Sequence, residues 1–397
     1  MNPSIRSTYN AEFTPEKYKA FLDEIYATHQ HTPNFRIAET PIFIDRDLKE
    51  KLFEACNDIN ETLCRDDFKA RTESSLLPKY NVPNEDEHTL FLQMDFGICI
   101  DAKGVLSPQL IEIQGFPSLY FFQNLLANSY KKHFNIPANY SHLFKGLDSE
   151  AYMEMLRKNI VGDCDPKNVI LLEVEPSQQT TQIDFLEAAS QIGIVIKCVS
   201  ELKTEGKKVF YLNEKGEKVA VEKIFNRVIF DELAHYSKLQ REFFFTREAD
   251  VEWIGHPNWF FRISKYTLPL LESKYVPETH FLSDLKEIPT DLHNYVLKPL
   301  YSFAGTGVII NLNKYDIDAI QDPENYILQK KVEYAPVIQT PTEPAKCEIR
   351  MLMIWEKDAP QPRIINNLAR LSKGLMVGVK YNKDKDWVGA SVAFFED

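Results

Sequence analysis

Residues 92–120 read "LQMDFGICIDAKGVLSPQLIEIQGFPSLY". Two apolar runs flank the turn sequence "DAKG", so the stretch predicts a hairpin of two strands. Side chains alternate across a strand, which puts Glu112 and Gln114 on one face, with Asp95 on the partner strand. Oxygen-bearing groups in such surroundings have two readings. They are the solvent side of an amphipathic strand, or they hold Mg2+, which takes a few carboxylates and fills its shell with water and substrate phosphates. Spacing alone leaves both open.

Working outward, the chain of 397 residues is too long for one ordinary core, and two or three domains are expected. Its 26 Phe and 18 Tyr can build large cores. A formal charge of −12 argues against general affinity for nucleic acid or an anionic membrane, though not against a local basic pocket for phosphate. The six cysteines are scattered without a Cys-x-x-Cys pair, which points away from a zinc site or disulfide framework. No long apolar run and no signal-peptide core is present at "MNPSIRSTYNAEF", so a cytoplasmic location is expected.

Before the hairpin, Thr14 and Pro15 open a helix with Tyr18, Phe21, Leu22 and Ile25 on one face. A second helix carries Leu48, Leu52, Cys56 and Ile59, with the extended piece "NFRIAETPIFI" between the two. Residues 65–90 read as a polar loop. Beyond the hairpin, residues 120–160 look helical, and a boundary falls near 163. "NVILLEVEP", a helix ending at Gly193 and "GIVIKCVS" then form a βαβ unit, which implies a parallel sheet. After a hairpin turning at Gly216 and a further boundary near 256, strands and loops alternate to the end.

Several later segments carry chemistry. In "YVLKPLYSFAGTGVII" a strand ends at Lys298-Pro299 and a small-residue loop leads into a second strand. Gly305 and Gly307 allow close backbone approach, so successive N–H groups can cradle phosphate oxygens beside the Lys298 cation; a plain glycine hairpin is the other reading. No Lys-Ser/Thr follows the last glycine, which excludes a Walker P-loop. "CEIRMLMIW" and "NNLARLSKG" place Glu348, Arg350, Asn367 and Arg370 in strands suited to burial. Buried arginines need anionic partners, either a carboxylate such as Glu348 or a bound phosphate.

Taken together, Asp95 with Glu112-x-Gln114, Lys265, Lys298-Pro299, the glycine loop, the "QKKV" strand and Glu348-x-Arg350 resemble the ATP-grasp ligases. The acidic strands come before the lysines here. That order is similar to the circularly permuted members, such as glutathionylspermidine synthetase and eukaryotic glutathione synthetase. The resemblance covers residues 90–120 and 165–397. It implies an α/β (α+β) chain with an ATP-grasp fold in permuted order, a Rossmann-like pre-ATP-grasp domain and an N-terminal helical region. The corresponding divisions are 1–90 (helical), 91–160 with 341–397 (metal and phosphate subdomain), 161–255 (Rossmann-like substrate domain) and 256–340 (nucleotide lid).

The same resemblance implies ATP and Mg2+ as cofactors and small-molecule carboxylate and amine substrates, with no nucleic acid or membrane partner. It assigns Asp95, Glu112 and Gln114 to the metal and Lys265 and Lys298 to the nucleotide phosphates. Gly305, Thr306 and Gly307 become the loop over the phosphates, and Gln329, Lys330 and Val332 the adenine-contacting hinge. Arg350 and Arg370 face the transferred phosphoryl group and the acyl phosphate. Two positions depart from the family pattern: Gln114 stands where Asn is usual, and Lys330 or Lys331 where an acidic residue meets the ribose. The implied activity is ATP-dependent carboxylate–amine ligation through an acyl phosphate. A phosphotransferase and a non-catalytic nucleotide-binding protein are the alternatives. For the acceptor, Arg36, Glu39, Glu173, Glu175, Asn226 and Arg227 are candidates, each explained more readily by surface ion pairing, and His256 reads as structural.

Overall fold

The structure, a computed structural model, describes residues 1–301, 305–378 and 381–397; the first part of the glycine loop, residues 302–304, lies outside the described residues. The opening stretch is a hairpin of strands Phe91–Ile100 and Leu106–Gln114. Its turn is closed by Asp101, whose Oδ1 accepts from the N–H groups of Lys103 and Val105 (2.9 Å each), while Gly104 takes a φ of 78° that a side chain would resist.

This hairpin forms one side of a five-stranded antiparallel sheet. The order is Gly389–Ser391, Arg363–Ser372, Lys346–Ile354, Phe91–Ile100, Leu106–Gln114. Strands from the first third of the chain therefore lie directly beside strands from its end. Every residue from Phe91 to Cys99 is buried, as expected of a strand covered on both faces. Alternation then sorts the side chains. Leu92, Met94, Phe96 and Ile98, with Ile349, Met351 and Met353, share a core with Leu48, Leu52, Cys56 and Ile59 of helix Arg46–Leu63. That helix starts where Asp45 accepts from the Leu48 N–H (3.1 Å), and its apolar stripe repeats every three to four residues. Each such side chain contributes about 1.5–3 kcal/mol by leaving water. The residues between them, Gln93, Asp95, Glu348 and Arg350, emerge on the opposite face.

The expected βαβ unit is present. Glu252–Ile254, Lys223–Asn226, Val169–Glu173 and Val195–Cys198 make a four-stranded parallel sheet in that order. Helix Gln182–Ile192 crosses over between the last two and stops at Gly193, whose φ is 75°. A smaller antiparallel sheet orders Thr279–Phe281, Tyr326–Lys330 and Tyr295–Pro299. Here the structure departs from expectation. After the glycine loop there is a single bridge, Leu297 to Ile309, in place of a second strand. The "YILQKKVEY" strand stops at Lys330, because the backbone then crosses to the central sheet, where the Ala335 N–H donates to the Ile98 carbonyl (2.8 Å).

At the N-terminal end, helix Pro15–His29 is capped by Thr14, and strand Ile42–Ile44 pairs in parallel with Ala393–Glu396. Arg36 and Glu39 serve this join. They pair with each other, and Glu39 Oε2 also accepts from the Trp387 N–H (2.9 Å). Among the described residues no helix is long and apolar enough to cross a membrane.

Candidate active site

The polar face of the central sheet is built by register. Asp95 lies opposite Glu112 on one side and opposite Arg350 on the other, and Glu348 lies opposite Arg370. Arg350 grips Asp95 through Nε and Nη2 (2.7 Å for the latter) and donates Nη1 to Gln93 Oε1 (2.8 Å). Arg370 reaches Asp95 Oδ2 from the next strand (2.6 Å) and also donates to Glu348. Burial would raise the Asp95 pKa, but the two guanidinium groups outweigh it and hold the carboxyl below its usual range. For Arg370, burial works against the charge, yet Glu348, Asp95, Glu112 and the Tyr334 phenol outweigh it and raise the pKa.

The hairpin carries a bulge at this point: Asp95 pairs with Glu112 and Phe96 with Leu110, which leaves Ile111 as an extra residue. The Ile111 carbonyl is thereby presented to Lys298, whose Nζ donates to it at 3.0 Å. Lys298 also donates to Gln329 Oε1 (2.6 Å), and Gln329 Nε2 donates to Thr279 Oγ1 (3.0 Å). Lys298 is 8% exposed. Burial pushes its pKa down to about 8; Lys265 adds to that, while Glu112 and Glu348 oppose it. Lys265 opens a short 3-10 helix capped by Ser264, and burial lowers its pKa against the pull of Glu112 and Asp231. Glu112, Gln114, Ser264, Lys265 and Tyr301 line one pocket. Glu112 thus sits in the combined field of Lys265, Lys298 and Arg370.

The residues fit a divalent cation in part. Glu112 and Gln114 share a face and a pocket, a small oxygen set of the kind Mg2+ accepts when phosphates and water complete its shell. Asp95, assigned to the metal from sequence, has both oxygens taken by guanidinium groups and holds Arg350 and Arg370 in place. Among the described residues no cluster of three or more His, Cys, Asp or Glu is arranged to hold a metal. Arg350, read as facing the phosphoryl group, spends its three donor nitrogens on Asp95 and Gln93. Gln329, read as an adenine contact, has its amide committed to Lys298 and Thr279. Lys330 gives its N–H to the Glu278 carbonyl (2.8 Å). Gly305 and Gly307 have φ values of 73° and 72°, which favour glycine.

Next to this face, the C-terminal ends of the parallel strands present Glu173 and Arg227. Arg227 is buried between the rings of Phe116 (4.9 Å) and Phe185 (5.4 Å), and its Nε and Nη1 have no hydrogen-bond partner among the described residues. Burial raises the Glu173 pKa to about 8, against the pull of Arg227. Phe116 follows Gln114 by two residues, so the hairpin and the parallel sheet meet here. His256 is structural: Nδ1 accepts from the Asn258 N–H (3.2 Å) and Nε2 faces the Pro83 carbonyl (3.1 Å). Sequence reading passed over Gln93, although it shares the parity of Asp95, and over Tyr334, whose hydroxyl donates to Glu348 Oε2 (2.6 Å).

No protein-family model matches the sequence, and no curated protein matches it significantly. Among solved structures, the chain is similar to a glutathione synthetase-like effector from Globodera pallida in its apo form. The TM-score is 0.60 at 10% identity, covering 98% of each chain. A protein assigned as a gamma-glutamylcysteine synthetase from Methylobacillus flagellatus KT aligns more loosely, with a TM-score of 0.38 and 11% identity over 86% of this chain and 85% of that one. The first likeness gives the fold: a mixed α/β, glutathione synthetase-like arrangement over nearly the whole chain.

Proposed function

We propose that this chain is an ATP-dependent carboxylate–amine ligase that works through an acyl phosphate. The observation that carries the reading is the meeting of Glu112 and Gln114, from the first third of the chain, with Lys265, Lys298 and Arg370 from its last third. Such a set of oxygens and cations suits a triphosphate. Lys265 and Lys298 take its phosphate oxygens, Gly305 to Gly307 cover it with backbone N–H groups, and the 329–332 segment borders the base. Glu112 and Gln114 hold Mg2+, which when bound offsets charge on the phosphate oxygens. Arg227, with Nε and Nη1 unspent among the described residues, takes a substrate carboxylate or its equivalent anion.

In the first step an oxygen of the substrate carboxylate bonds to the γ-phosphorus while the bond to the β,γ-bridging oxygen breaks, releasing ADP. The amine nitrogen then bonds to the acyl carbon, inorganic phosphate leaves with the carboxyl oxygen, and the nitrogen gives up a proton. Positioned cations stabilise the charge that spreads over the equatorial oxygens, and no protein nucleophile is required. A nucleotide-binding protein without turnover is the second reading, favoured by the saturation of Asp95 by two arginines.

The test is ADP release from Mg·ATP with pooled carboxylates and amines, with Glu112→Ala as the control. The ligase reading expects ADP formation that needs both pools, matches amide formed, and falls at least about a hundredfold in Glu112→Ala. ATP binding by calorimetry with no ADP release from any pool selects the second reading. Undiminished turnover in Glu112→Ala rules out the site.

A further inference from the structure

The two arginines of the central sheet are spent differently. Arg350 uses Nε, Nη1 and Nη2 on Asp95 and Gln93. Both ion pairs of Arg370 run through Nη2, and its Nε is buried with no hydrogen-bond partner among the described residues. A carboxylate beside a guanidinium ordinarily closes into a fork of two parallel hydrogen bonds. Glu348 does not: its other oxygen accepts from the Tyr334 hydroxyl at 2.6 Å.

Tyr334 is held at that spot by two features. The Ala335 N–H donates to the Ile98 carbonyl (2.8 Å) and fixes the backbone on the central sheet. Gly97, opposite Glu348 in the register, leaves room for the ring; a Cβ there would lie 2.9 Å from Tyr334 Cε1 and 3.0 Å from Cζ. Tyr334 also stands two residues beyond Val332, so the segment that borders the proposed base site is tied to the arginine through one side chain.

We infer that Tyr334 is a positioning residue: by occupying one oxygen of Glu348 it keeps Arg370 out of a closed fork and leaves its Nε–H for an anionic oxygen of the ligand. Taking that oxygen as part of a nucleotide's terminal phosphate rests on the function proposed above. Without the hydroxyl, Glu348 is at liberty to turn and take Arg370 through both oxygens, which withdraws the guanidinium.

Two measurements test this. In the first, ADP and the β,γ-imido analogue of ATP are titrated into wild type, Tyr334→Phe, Arg370→Ala and the double variant, with magnesium present. Tyr334→Phe keeps the ring over Gly97. It is expected to leave ADP affinity unchanged within about twofold while the analogue binds about tenfold more weakly, and Arg370→Ala should add little to it, as for residues acting in one interaction. Equal weakening of both nucleotides marks a merely structural role and overturns the inference, as does an unchanged analogue affinity. The second measurement is a crystal structure of Tyr334→Phe compared with one of the wild type. Glu348 turned to hold Arg370 through both oxygens is the expected result, and an unmoved Glu348 overturns the inference. A wild-type chain that binds neither nucleotide would remove the nucleotide reading, while the crystallographic comparison would still decide the role of Tyr334.

Discussion

Two buried arginines a short distance apart, Arg350 and Arg227, live under opposite conditions. Arg350 is closed: a carboxylate holds two of its nitrogens and an amide the third. Arg227 is open: aromatic rings cover its faces, Asp184 and Glu173 act on it through charge while burial raises the pKa of both carboxyls, and its Nε and Nη1 lack partners among the described residues. Burial of an ion costs several kcal/mol unless it is paired and hydrogen-bonded. The closed set therefore fixes geometry before any ligand arrives, whereas the open one leaves a cost that a bound anion can offset.

The most direct way to break this contrast is Arg350→Ala. It leaves the Asp95 carboxylate buried with one of its two cations gone, and urea denaturation is expected to show a loss of about 3–5 kcal/mol. An unchanged midpoint would dissolve the distinction. Arg227→Met sharpens it from the other side. Methionine can fill the slot between Phe116 and Phe185, and Asp184 nearby keeps its backbone donors at Leu119, Phe121 and Phe122 (3.1, 2.9 and 2.9 Å). Stability is expected to fall, but by less than in Arg350→Ala, because buried Asp184 loses the cation that faces it while keeping those backbone donors, and a desolvated guanidinium has gone. The response of ADP release to added carboxylates should disappear; its persistence would free Arg227 from the site.

A pH titration separates Lys298 from both arginines. Its pKa is about 8 when folded against 10.5 ordinarily. Between those values the unfolded chain binds the proton more strongly, so the contribution of Lys298 to stability grows as pH rises from about 8 towards 10.5. Its charge is lost over the onset of that window, so nucleotide affinity should fall from pH 7 to pH 9 while the midpoint contribution moves the other way. In Lys298→Met both trends should vanish. The smallest effect is expected of Gln329→Leu, which removes the acceptor that orients Lys298 and should weaken nucleotide binding by about threefold to tenfold, roughly the net contribution of one hydrogen bond. Calorimetry reads this directly, and unchanged affinity would show that the Ile111 carbonyl suffices.

Much of the candidate site was legible because strands alternate with a period of two. Glu112 and Gln114 share a face, as their spacing required, and the same rule applied to Gln93 would have added it. Lys298 was marked by the glycine turn that follows it. The bulge at Ile111, which turns a carbonyl towards Lys298, left no trace in the apolar pattern, since an extra isoleucine among isoleucines looks like more strand. Gln329 looked like a hinge contact because its neighbourhood did; its amide is spent on a lysine from the adjoining strand. Tyr334 had no signal at all, as its place depends on a glycine that lies far away in sequence.

By itself the sequence determined the local order: the hairpin at 91–114, the capped helix that covers one side of it, the parallel βαβ unit, and which side chains share a face. Those follow from periodicity, caps and turn residues, all of which act over a few positions. Which oxygens stay available was decided only in three dimensions. Asp95 and Arg350 stand 255 residues apart, and they meet because strand Lys346–Ile354 docks beside Phe91–Ile100 in one register. A slip of one residue would send Arg350 into the apolar core and return Asp95 to the set of open carboxylates, and local pattern carries no information about that choice of partner.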